Sequence, residues 1–127
     1  MKKYIWLLIP VFVAAMVIVL IKTVFFIGYV PTSSMEPTLK KGSLVFSVRI
    51  FDDLATGDII VFTKDGTVMV KRIAAVAGET ITVDGVTYTV PEDSFFVLGD
   101  NRECSIDSRH WEDPFVGETN VTALIIK

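Results

Sequence analysis

Tyr4 to Ile21 is eighteen residues without a charged side chain, interrupted only by Pro10. That length is near the lower limit for a helix that spans a bilayer, and Thr23 to Tyr29 continue the apolar character beyond Lys22. A cleaved leader has a shorter apolar region, roughly 7–15 residues, followed by a small-x-small site, and Lys22-Thr23-Val24-Phe25-Phe26 offers none. The expectation is a retained single-pass anchor. Lys2, Lys3 and the terminal amine outweigh Lys22, so the N-terminus is expected in the cytoplasm.

The charge of the chain is split accordingly. All 15 acidic residues lie after position 30, against nine Lys and Arg there, so that part has a net charge near −6. The first 29 residues hold three lysines and no acid. An acidic domain argues against nucleic acid as a partner. Cys104 is the only cysteine, so no intrachain disulfide is possible, and with His110 as the only histidine a usual zinc set cannot form. Neither a metal nor another cofactor is expected. The organisation read from the chain is residues 1–29 as cytoplasmic N-terminus and transmembrane anchor, and residues 30–127 as one extracytoplasmic domain.

Beyond the anchor the pattern is strands and turns. Leu44, Phe46, Val48 and Ile50 alternate with smaller or polar residues, and Ile59 to Thr63 follows an Asp/Gly-containing break. Asp65-Gly66 and Asp84-Gly85 each read as a hairpin turn, the first leading into a long strand from Thr67 to Ala77. Phe95–Leu98 and Val121–Ile126 complete the set, with a short turn near Glu36–Leu39. The fold class expected is mainly β: a small antiparallel, barrel-like domain preceded by one transmembrane helix.

Strand alternation puts Lys71 on one side with Thr67, Met69, Ile73 and Ala75. An amine among such neighbours loses water, which disfavours its charged form. To act as a base near neutral pH it must give up its proton well below the ordinary value of about 10.4. The bland alternative is a lysine that snorkels to the strand edge. Ser34, in Thr32-Ser33-Ser34-Met35-Glu36-Pro37, is a candidate hydroxyl nucleophile, with Ser33 equal to it by composition. His110 could serve a Ser-His-Asp arrangement, or pair with Cys104, although nothing local favours either. Gly99 to Arg109 is dense in polar groups, and its two arginines interleaved with aspartates can brace a loop by bidentate pairing.

Four stretches, in this order and behind this anchor, carry a resemblance: Ser34-Met35-Glu36-Pro37-Thr38-Leu39, Gly57-Asp58-Ile59-Ile60-Val61-Phe62, Lys71-Arg72, and Gly99 through Trp111. They resemble type I signal peptidase, the serine–lysine leader peptidase of bacterial membranes, in its compact Gram-positive-like form. The resemblance implies Ser34 as nucleophile and neutral Lys71 as its base. It implies that Ser105 orients the lysine amine, with Asp107 and Arg109 supporting that geometry through a salt bridge. It also implies an oxyanion hole formed by the Ser34 N–H and the Thr32 hydroxyl, where many relatives carry serine at the latter position. The implied substrates are exported preproteins cut after small residues. The implied surroundings are the lipid bilayer and the secretion translocon. One departure is Ala75-Val76-Ala77-Gly78-Glu79, where the family usually has Gly-x-Pro-Gly-Asp. Two rivals stand beside this reading. A self-cleaving repressor would need a DNA-binding N-terminus, which the hydrophobic anchor replaces. A non-catalytic membrane-anchored β domain that binds preproteins or a partner would have no reason to keep Ser34, Lys71 and Ser105 together.

Overall fold

A computed structural model describes residues 2–126. Helix α1, Lys2–Val24, contains Pro10 without ending there, and none of its 23 residues is buried. It is long and apolar enough to cross a membrane. Strand β1, Phe25–Tyr29, begins at the next residue. The helix thus gives way to the sheet at Phe25. Phe25 to Tyr29, apolar in sequence, are extended rather than helical.

Eight further strands follow: β2 Leu44–Val48, β3 Ile59–Lys64, β4 Thr67–Val76, β5 Thr80–Val83, β6 Val86–Thr89, β7 Ser94–Leu98, β8 Phe115–Gly117 and β9 Val121–Ile125. Seven of the nine form one sheet in the order β1-β2-β9-β3-β4-β7-β8, and β5 pairs with β6 alone. Every pairing is antiparallel. The expected turns are present: Asp65 and Gly66 both adopt positive φ (49° and 79°), as do Asp84 and Gly85 (51° and 80°). That is the geometry a two-residue hairpin demands, and Asp and Gly tolerate it. Strand β8 went unexpected because three residues are too few to show a period.

Both faces of the central sheet are covered, which explains why Ile59, Ile60, Val61 and Phe62 are all buried. Ile59 and Val61 pack with Val30, Met35, Val45, Ala123 and Ile125. Ile60 and Phe62 turn the other way, onto Ile73, Phe95, Val97 and Val116. A third cluster, Ala75, Val90, Phe96 and Leu98, receives Ile81, Val83 and Tyr88 and so docks the β5–β6 hairpin. Tyr88 lies on Phe96 with ring centres 4.6 Å apart. One face stays bare. Phe25, Ile27 and Tyr29 of β1 are exposed, as are Phe46 and Leu44, which stand opposite Ile27 and Tyr29 on β2.

Candidate active site

Residues 30–39 form a loop pinned at both ends of its first half. Val30 and Met35 are in the core, and Ser34, between them in sequence, is only 5% exposed. The expected turn is present, with the Leu39 N–H donating to the Met35 carbonyl at 2.9 Å. A second loop, 99–109, is stitched against it. The Asn101 N–H donates to the Ser34 carbonyl at 2.8 Å, and Asn101 Nδ2 donates to the Ser33 carbonyl at 3.0 Å. Gly99 is what allows this approach: a Cβ there would stand 2.0 Å from Ser105 Oγ and 2.7 Å from the Ser34 carbonyl oxygen. No side chain fits.

Lys71 reaches this junction from β4, where it sits opposite Ile60. It is 5% exposed, and its Nζ is hydrogen-bonded to Ser34 Oγ at 2.7 Å. Burial lowers its pKa below the ordinary lysine value, against an opposing pull from the Asp107 charge. Thr32 Oγ1 lies 3.1 Å from the same Ser34 oxygen. Of the two serines equal by composition, the structure brings Ser34 to the amine, while the Ser33 carbonyl serves Asn101.

Asp107 is fully buried and its carboxylate is fully engaged. Arg109 Nε donates to Oδ1 at 2.8 Å and Arg109 Nη2 to Oδ2 at 3.1 Å. Ser105 Oγ donates to Oδ2 at 2.8 Å and the Gly99 N–H to Oδ2 at 3.0 Å. Burial alone would raise the Asp107 pKa, yet the donors led by Arg109 outweigh it and hold the carboxyl below its usual range. Ser105 was expected to orient the lysine amine. Its hydroxyl donates to Asp107, and among the described residues no hydrogen bond joins it to Lys71. Ser105, Asp107 and Arg109 thus sit together as a brace beside the Ser34–Lys71 pair.

A second brace was not singled out from the sequence. Arg72 makes a bidentate pair with Asp100, at 2.9 and 2.8 Å, and the Thr38 hydroxyl donates to the same carboxylate at 2.6 Å. The Arg72 bonds, with help from Thr38, hold the Asp100 pKa below its ordinary value. The signal was available in the adjacency of Arg72 to Lys71, since alternation must send Arg72 to the opposite face. His110 is exposed and accepts the Asp107 N–H on Nδ1 at 3.2 Å, and Cys104 is exposed. Neither is hydrogen-bonded to Ser34.

A groove of about 380 Å³ opens on Ser34 and Lys71. Phe26, Tyr29, Val45, Val61, Met69 and Ile106 are among its walls, so it is largely apolar. An alcohol held 2.7 Å from an amine in such surroundings has what general-base activation requires: proximity, and an environment that favours the uncharged base.

The profile of the family described as signal peptidase, peptidase S26, matches residues 2–90 and 82–126. Signal peptidase I of Bacillus amyloliquefaciens is 31% identical over 79% of this chain and 74% of its own length. Signal peptidase I V of Bacillus subtilis is 30% identical over 98% of each chain. A protein of Staphylococcus aureus named inactive signal peptidase IA is 33% identical over 64% of this chain and 49% of its own.

Proposed function

This chain belongs to the signal peptidase family, the S26 peptidases, and on that premise we propose that it removes N-terminal signal peptides from exported preproteins by a serine–lysine mechanism. Ser34 is the nucleophile and Lys71 the base. The uncharged amine takes the Ser34 proton as Oγ attacks the scissile carbonyl, then delivers it to the leaving amine. An acyl-enzyme on Ser34 remains, and Lys71 activates the water that hydrolyses it. The Ser34 N–H and the Thr32 hydroxyl stabilise the oxyanion. Asp107 and Arg109 hold Ser105 and Gly99 in place around them. The apolar groove receives the small side chains before the cleavage site.

Helix α1 anchors the enzyme, with its N-terminus in the cytoplasm and the acidic sheet domain outside. Substrates reach it from the translocon along the lipid surface. The observation that carries this reading is the 2.7 Å contact between two buried groups contributed by residues 37 positions apart.

A second reading, a non-catalytic domain that binds preproteins, draws support from the relative named inactive. One comparison decides between them. Full-length protein in detergent or lipid is mixed with a preprotein, beside Ser34→Ala and Lys71→Ala. The wild type is expected to release a shortened product, and each variant to lose at least ~10³-fold in rate. Equal cleavage by all three rules out the serine–lysine mechanism, and no cleavage by the wild type favours the binding role.

A further inference from the structure

Arg109 distributes its donors unevenly. Nε and Nη2 serve its own loop, bonding the Asp107 carboxylate and the carbonyls of Arg102 and Ser105. Nη1 has one partner among the described residues, Asp84 Oδ2 at 3.6 Å. Asp84 lies outside that loop, in the left-handed turn at the tip of the β5–β6 hairpin. The base of the hairpin is tied by the Gly78 N–H to the Val90 carbonyl, and its middle by Tyr88 against Phe96. Below the tip there is an open groove of about 510 Å³, with Arg72, Asp100 and Arg102 in its walls. Asp84 stands in the wall of that groove, and its ion pair with Arg109 joins the hairpin tip to the 99–109 loop.

We propose that Asp84 is a positioning residue for the Ser34–Lys71 pair, acting through Arg109 to hold the 99–109 loop in register. The proposal rests on the reading of that pair as the reacting groups. A guanidinium held from both sides stays aligned with Asp107. Asp107 in turn fixes the Ser105 hydroxyl and the Gly99 N–H, and Gly99 is where this loop meets the Ser34 carbonyl. The Asp84 side chain is 74% exposed and that of Arg109 13%, so the link is partly screened by solvent. Its contribution is modest and falls as salt is added.

Asp84→Asn removes the charge while keeping a residue that accepts the left-handed turn, and Asp84→Glu restores the charge. Hydrogen exchange of residues 99–109 is followed in the full-length protein in detergent at low salt, alongside kcat and KM on a preprotein. In Asp84→Asn the loop is expected to exchange about two- to fivefold faster, and kcat to fall by a similar factor with KM unchanged. Asp84→Glu, which keeps the charge but fits the left-handed turn less well, is expected to fall between wild type and Asp84→Asn, and added salt to bring wild type toward Asp84→Asn. Loop exchange identical in Asp84→Asn and wild type overturns the proposal, as does faster exchange confined to the hairpin. If the loop responds as expected but the wild type cuts no preprotein, the peptidase reading fails and the Asp84 link to the loop stands.

Discussion

Lys71 is set between two opposed influences. Burial strips water from its amine and favours the neutral form, while the buried Asp107 carboxylate favours the charged one. Burial is the larger of the two, so the pKa falls. The sign of the pH dependence follows. With the Lys71 pKa below its ordinary value, the fraction of neutral amine, and with it kcat/KM for a preprotein, rises as pH rises through that lowered value. Lys71→Arg is expected to stay inert at every pH because a guanidinium keeps its proton. A rate that is flat from mildly acidic to strongly alkaline pH, or activity in Lys71→Arg, contradicts the role assigned to the amine. Strand alternation puts Lys71 on a face with Met69, Ile73 and Ala75 but leaves a snorkelling lysine open, and its pairing with Ser34 is read from the family resemblance. The partner of Ser105 is not legible in the sequence. Its bond to Asp107 depends on how the 99–109 loop folds back on itself, which residue order does not encode.

Strands β4 and β7 do most to assemble the site. Their register sets Arg72 opposite Leu98, so the chain leaving β7 brings Asp100 to the Arg72 guanidinium while Lys71 faces the other way. Asp100 also accepts the Thr38 hydroxyl, joining the strand that carries Lys71 to the loop that carries Ser34. Asp100→Asn keeps the shape but removes the charge from a half-buried pair. It is expected to lower stability by about 1–3 kcal/mol, read from unfolding in detergent, and to lower kcat. Unchanged stability and rate would mean that the two segments are held together by other contacts. Most strands were legible from alternation and Asp-Gly turns, whereas the sheet order was not. Strand β9 inserts between β2 and β3, a pairing between distant parts of the chain that no local pattern announces.

At the scale of the molecule, the bare apolar face of β1 and β2 adjoins a helix suited to a membrane. Contiguous exposed apolar surface of this kind marks a surface that meets lipid or another protein. Burying each such side chain is worth about 1.5–3 kcal/mol. A variant with Ile27, Phe46 and Leu44 all changed to serine is expected to cut a preprotein normally in detergent but to lose most of its activity in lipid vesicles. Equal rates in vesicles would separate the face from lipid. The junction between the helix and this sheet has no intervening loop: Val24 ends α1, Phe25 begins β1, and the Arg49 N–H donates to the Val24 carbonyl. If α1 spans the bilayer as proposed, no linker separates the lipid from the strand beside the groove, so the fold itself sets the reach of Ser34 above the membrane.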